Sequence, residues 1–326
     1  MDNEERIDIS KPLYNQETFV GRFKHFLFIT DPRTIFASDE ELYAAKELVQ
    51  KYKLKQEPAG TTKEQILYAK KLYESAFHPD SGDLQNVFGR MSFQVPGGMI
   101  ITGAMLQWYK SAPQVIFWQW VNQSFNAIVN YTNRNANSPI TTNQMGFAYI
   151  SATSAALVAS LGSKSFLQKH ASPFFLRYVP FIAVAIANAV NIPLMRQNEI
   201  LNGIDVESEK GDVVGKSRVA SVTGISQVII SRIVMAAPGM LILPVIMEKL
   251  EKVKSFKRMS VLHAPFQTIM VGCFLIFMVP TACGLFPQRA TLSASTINRL
   301  EPEFYRDIEE RTKGNVPEKV YFNKGL

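Results

Sequence analysis

Cysteine and histidine are scarce here, two of the one and four of the other in 326 residues. Cys273 and Cys283 lie ten residues apart in one apolar run, about 15 Å along a helix, too far to pair with each other. That leaves neither a disulfide framework nor a zinc cluster, and the scattered histidines offer no metal site. No cofactor is expected. A nucleophile triad, a Walker loop, a dinucleotide fingerprint and a His-Glu zinc pair are all missing, so nothing supports an enzyme. The opening Met1-Asp2-Asn3-Glu4-Glu5-Arg6 has neither the apolar core of a secretory signal nor the Arg-rich, acid-poor helix of a cleaved mitochondrial presequence. Targeting information is therefore expected inside the chain.

Charge is the other scarce commodity, between residues 95 and 286. Five apolar stretches stand out there, 95–131, 144–162, 172–195, 219–247 and 262–287, each long enough or nearly so for the roughly 20 residues that a membrane span needs. Short polar loops separate them, and the chain is too small to bury five such helices in a soluble core. The net charge of +7 comes from basic residues interleaved with acids or set in loops such as 248–258, which suits lipid headgroups better than nucleic acid. The expected fold is all-α: a polytopic membrane protein with about five transmembrane helices, a broken first membrane segment and a small N-terminal helical cap. The cap is residues 1–94, the bundle 95–287, and a polar C-terminal tail 288–326.

In the cap, Ser38-Asp39-Glu40-Glu41 and Thr61-Thr62-Lys63-Glu64 carry helix-start signals, each followed by an apolar face: Leu42, Ala45, Leu48, Val49 and Tyr52, then Ile66, Ala69 and Tyr73. Phe19 to Leu27 places Phe19, Phe23, Phe26 and Leu27 on one side and Arg22, Lys24 and His25 on the other. It suits either a membrane-surface helix or one packed in the cap. His78-Pro79-Asp80-Ser81-Gly82 reads as a rigid turn rather than a metal site.

The run 95–131 is broken twice. Pro96-Gly97-Gly98 opens it and Lys110-Ser111-Ala112-Pro113 interrupts it, leaving a half-helix of about 15 residues, roughly 22 Å, before a full crossing from Val115 to Tyr131. A second break is expected at Ala237-Pro238-Gly239-Met240; Arg90 and Arg232 each precede a proline by six residues, which hints at an internal repeat. If each run crosses once, Lys164 and the basic loop 249–258 share the cap's side, and Arg134, Arg196 and Lys210 to Arg218 lie opposite.

The segment after the break is rich in carboxamides. Gln119, Gln123, Asn126, Asn130 and Asn133 follow one another at helical spacing, with Asn122 beside them, so one face of an otherwise greasy helix carries amides. Beside hydrocarbon each amide needs a partner, which gives two readings: the lining of a path for a zwitterionic solute, or glue between helices. Arg134 ends the stripe, as a carboxylate donor or a headgroup anchor. Asn191 and Arg196 end the third span with polar groups, and Arg232 lies inside the fourth, where a cation is costly unless it faces a cavity or partner.

Several of these motifs together resemble the sideroflexin family: His78-Pro79-Asp80-Ser81, where the family usually has Thr in fourth place; Gly89-Arg90-Met91-Ser92-Phe93-Gln94-Val95-Pro96-Gly97-Gly98; the amide stripe through Asn135; Asn191-Ile-Pro-Leu-Met-Arg196-Gln197; and Tyr321-Phe-Asn-Lys-Gly-Leu326. The resemblance implies a five-span protein of the mitochondrial inner membrane that imports serine into the matrix for one-carbon metabolism, with alanine and cysteine as further substrates. Some members are tied instead to iron or haem homeostasis, which keeps a non-transporting scaffold or assembly factor as the alternative. Asn122, Gln123, Asn126, Asn130 and Asn191 are the expected substrate ligands, with Arg134, Arg196 or Arg232 meeting the carboxylate. Transport of tricarboxylates would demand a more cationic cavity than the stripe supplies.

Overall fold

The computed structural model describes residues 6–79, 81–133, 141–170, 172–258, 260–312, 314 and 316–325. Three short helices build the cap: α1 (Phe19–Ile29), α2 (Asp39–Lys53) and α3 (Lys63–Ala76). The Ser38 hydroxyl accepts from Glu41 N at the start of α2. At α3 the capping box is one residue later than expected, formed by Thr62 and Gln65. Leu42, Ala45 and Val49 pack against Ile66, Ala69 and Leu72 in one buried cluster.

The orientation of α1 corrects the reading of its faces. Arg22 points inward, 6% exposed, and its Nε donates to Gly284 O at 2.8 Å, while Phe19 and Leu27 are exposed. A guanidinium carries five donors, and the free carbonyl at a helix C-terminus is a better match for them than the apolar flank is.

The membrane part consists of α4 (Gln94–Gln107), α5 (Ala112–Thr132), α6 (Thr142–His170), α7 (Val179–Met195), the short α8 (Gln197–Asn202), α9 (Arg218–Glu251), α10 (Lys254–Arg258) and α11 (His263–Gly284). Four of these segments are long and apolar enough to cross a membrane: Thr142–His170, Pro173–Met195, Arg218–Glu251 and His263–Gly284. At 21 residues α5 has the length, but its amides keep it less apolar than those four. The half-helix α4, 14 residues or about 21 Å, is short as expected. Gly97 and Gly103 let it approach its neighbours: a Cβ on Gly97 would lie 2.5 Å from the Phe93 ring and 2.9 Å from that of Phe125, and one on Gly103 would lie 2.9 Å from Thr268 Cα. Neighbouring helices close into a ring in the order α4, α5, α6, α7, α9, α11 and back to α4.

Two sequence expectations fail. No break occurs at Pro238, for α9 runs unbroken through Pro238 and Pro244. Proline forfeits one hydrogen bond, and packing among helices tolerates that where an isolated helix would end. Pro96, by contrast, is the third residue of α4, where no intrahelical donor is needed, so the two prolines are not equivalent. The expected sidedness is also overturned. Asn133, which caps α5, accepts from Gln85 Nε2 at 2.9 Å and donates to Gly89 O at 3.0 Å, so α5 returns to the cap. The pair α4–α5 thus enters and leaves on one side. It puts the 195–218 segment beside the cap, and Lys164 with the 249–258 loop at the far end.

Beyond the spans lies an element that helical periodicity did not announce. Strands β1 (Ile204–Glu207), β2 (Val213–Ser217), β3 (Arg289–Ser293) and β4 (Lys319–Asn323) form an antiparallel sheet in the order β2-β1-β4-β3. Between β3 and β4 come α12 (Ala294–Leu300) and α13 (Pro302–Arg311), and Ile297, Ile308, Val320 and Phe322 bury against Val206 and Ala220. The inserted loop before α9 and the segment after the last span thus fold as one small unit under the ring.

Candidate functional site

At the cap end the ring encloses a cavity of about 50 Å³, several times what one water requires. Gln94 and Asn133 line one wall, from α4 and the end of α5. Ser231 and Arg232 line another, from α9, and Cys283 and Lys324 close it. Two cations therefore share the lining with no carboxylate among the described residues. Neither the Arg232 guanidinium nor the Lys324 ammonium has a hydrogen bond or ion pair to a described residue.

Each cation is brought there by a different part of the chain. Arg232 sits 14 residues into α9, about 21 Å from its start, on the turn that also carries the buried Val228 and Ser231. Lys324 follows β4, is 1% exposed, and is pinned through its backbone: its N donates to Gln288 O at 2.9 Å and its O accepts from Arg196 Nη1 at 2.9 Å. Burial, reinforced by the positive charges of Arg196, Arg232 and Arg22, holds its pKa down to about 8. Sequence reasoning missed this residue. The signal was the alternation Val320, Phe322, Lys324, since both apolar members are buried and a period of two puts the lysine on their face.

The amide stripe turns inward, but not all of it reaches this cavity. Gln119 and Gln123 are fully buried. Gln119 Nε2 donates to Tyr109 Oη at 2.6 Å, that hydroxyl meets Ser160 Oγ at 2.7 Å, and Ser160 Oγ donates to Ala156 O. This relay ties the chain between α4 and α5 to α6. Gln119 Oε1, Asn122 Nδ2, Gln123 Nε2, Asn191 Oδ1 and Gln227 Oε1 are buried with no hydrogen-bond partner among the described residues. Asn126 and Asn130 are half-buried, about two and three turns along α5 from Gln119, and their side chains make no hydrogen bond to a described residue. The structure thus brings Arg232 to the cavity, strings Asn122, Gln123, Asn126 and Asn130 along α5, and leaves Asn191 on α7. Arg196 is engaged elsewhere, paired with Glu199 and holding Lys324 O. Arg134 lies outside the described residues.

The motif residues frame this end of the ring. The His78 backbone pairs with Asp83 O and Gly82 N, and Ser81 N donates to His78 Nδ1 at 3.3 Å, forming a tight elbow; Pro79 is within it and Asp80 lies outside the described residues. Arg90 fastens the elbow's exit, donating to Gln85 O and to Asp39 Oδ1, both at 3.0 Å. Pro96, Gly97 and Gly98 form the first turns of α4, with Gly98 facing Leu275 of α11.

A ring of apolar helices around unpaired amides, with a cation-lined cavity at one end, defines a multi-pass membrane protein with a polar interior. Its family follows from comparison: the profile of the sideroflexins matches residues 8–326, and the chain belongs to the sideroflexin family. It is 58% identical over 320 residues to sideroflexin-2 of Drosophila melanogaster and 57% identical over 319 to sideroflexin-2 of Homo sapiens, covering 98% of both chains in each case. Sideroflexin-1 of Homo sapiens is 48% identical over 322 residues, again with 98% of both chains covered. No solved structure matches.

Proposed function

We propose that this protein is an amino-acid carrier of the mitochondrial inner membrane that imports serine into the matrix for one-carbon metabolism. The observation that carries the reading is the pair of unneutralised cations, Arg232 and Lys324, in a cavity that also presents Gln94 and Asn133. A buried cation without a partner is costly in an apolar interior, and a carboxylate is the group that relieves it. An amino acid offers that carboxylate while its ammonium and hydroxyl suit uncharged amides, which the stripe Asn122, Gln123, Asn126 and Asn130 supplies and Asn191 extends. The unpaired amide atoms also favour a carrier over the scaffold or assembly factor, whose stripe would be filled by neighbouring side chains.

The test is uptake of radiolabelled serine by the purified protein in liposomes, with alanine, cysteine and citrate as competitors. Serine should accumulate, alanine and cysteine should compete and citrate should not, and Arg232→Gln should reduce uptake to that of empty liposomes. Folded protein that moves no serine would overturn the reading and return the scaffold to first place.

A further inference from the structure

The far end of the ring holds a second cavity, of about 480 Å³, for which the carrier reading has no use. It lies among the chain between α4 and α5, the end of α6, the start of α7, and the adjoining ends of α9 and α11. Lys110, Lys164 and Arg177 give its lining three positive charges against the one negative charge of Glu251, a balance of +2. Glu251 already accepts from Arg177 Nη2 at 3.2 Å, and Lys164 is held by the carbonyl of Lys110. The Lys110 ammonium has no ion pair among the described residues.

Two further observations point to an anion. Gln267, only 5% exposed, lines the cavity with an amide that bonds no described residue. The cavity also sits at the level of an aromatic belt: Trp108 stacks on Trp118 with centroids 5.9 Å apart, and Phe174, Phe175 and Tyr178 cluster nearby on the segment that leads into α7. Such belts mark the headgroup level of a bilayer. A net-neutral amino acid would leave the +2 uncompensated; a phosphate monoester, a dianion near neutral pH, would cancel it.

We propose that this vestibule is a phosphate-group site, occupied by the headgroup of an anionic phospholipid of the phosphatidic acid type or by free phosphate. The full-length protein in phosphatidylcholine nanodiscs, with and without phosphatidic acid, distinguishes the two sources. Native mass spectrometry should find phosphatidic acid retained in preference to phosphatidylcholine. The double variant Lys110→Gln/Lys164→Gln, which loses two charge-assisted contacts, should reduce retention roughly tenfold or more. Lys252→Gln/Lys254→Gln removes the same charge at the same membrane face outside the lining and should leave retention unchanged. If phosphatidic acid is not retained but inorganic phosphate raises the unfolding midpoint in phosphatidylcholine discs, and the Lys110/Lys164 variant abolishes that rise, the occupant is soluble phosphate. Equal losses in both double variants would mean that general basicity binds the lipid, and would overturn the site. So would binding of neither probe. Because the readout is binding, a failure of serine uptake leaves this result standing.

Discussion

Replacing Arg232 by methionine should make the protein more stable and inactive at once. The guanidinium lies about 21 Å from one end of α9 and about 28 Å from the other, near mid-helix, with no described residue to pair it. An arginine at the centre of a membrane helix costs about 2.5–3.5 kcal/mol on insertion scales. The cavity is roomy enough for water, which would recover part of that, so Arg232→Met should gain about 1–2 kcal/mol, since methionine fills the same length without charge. The gain would appear as a higher unfolding midpoint for the purified variant in detergent, and the loss as serine uptake no greater than that of empty liposomes. Arg232→Lys, keeping a cation but not the planar fork, should retain part of the uptake. If Arg232→Met instead lost about 1 kcal/mol or more, the arginine would be a structural partner of some group, and the cavity argument would fail. Retained uptake would refute it equally.

Other outcomes follow from neighbouring residues. Lys324 has a folded pKa of about 8, below its unfolded value, so the unfolded chain binds more protons between the two. Stability should therefore be lowest below about pH 8 and should climb as pH rises through that value towards the usual lysine range, and Lys324→Met should flatten the climb in melts at pH 7 and about 9.5. Gly103→Ala puts a Cβ 2.5 Å from Thr268 Oγ1 and 2.9 Å from its Cα, so α4 must part from α11, at a cost of about 1–3 kcal/mol in the same melts. Asn126→Leu with Asn130→Leu breaks no hydrogen bond to a described residue, so the melt should hold while serine uptake is lost; unchanged uptake would remove the stripe from the path. Asn133→Ala should lower the melt by about 1–3 kcal/mol, because Gln85 Nε2 and Gly89 O lose their partner together.

The helices themselves were legible because hydropathy and capping are local. Ser38 and the apolar runs mark α2, α6, α7, α9 and α11 without reference to anything distant. The short α4 was legible too, since Pro96-Gly97-Gly98 and Ser111-Ala112-Pro113 bracket it. What failed depends on neighbours. Pro238 reads as a break in isolation and is absorbed by packing in place, and the return of α5 to the cap rests on Asn133 meeting Gln85 and Gly89 more than forty residues away. The same holds for the site. Arg232 stood out as a cation in an apolar run, whereas Lys324 sat in polar sequence, and the sheet that buries it pairs β4 with β3 and with β1, more than a hundred residues earlier. Arg196, like Arg232, is a cation tied to an apolar run, but Glu199, three residues on, claims it.

The position of Lys324 bears on how the protein is made. Every membrane helix precedes it in the chain, so the ring can be inserted and packed while one wall of the cavity is still missing. Only when β4 slides between β3 and β1 does the second cation arrive, held by the arginine that follows α7. On the carrier reading, solute recognition is then the last property acquired during biogenesis, and a newly inserted bundle awaiting that strand would cross the bilayer with its binding cavity still incomplete.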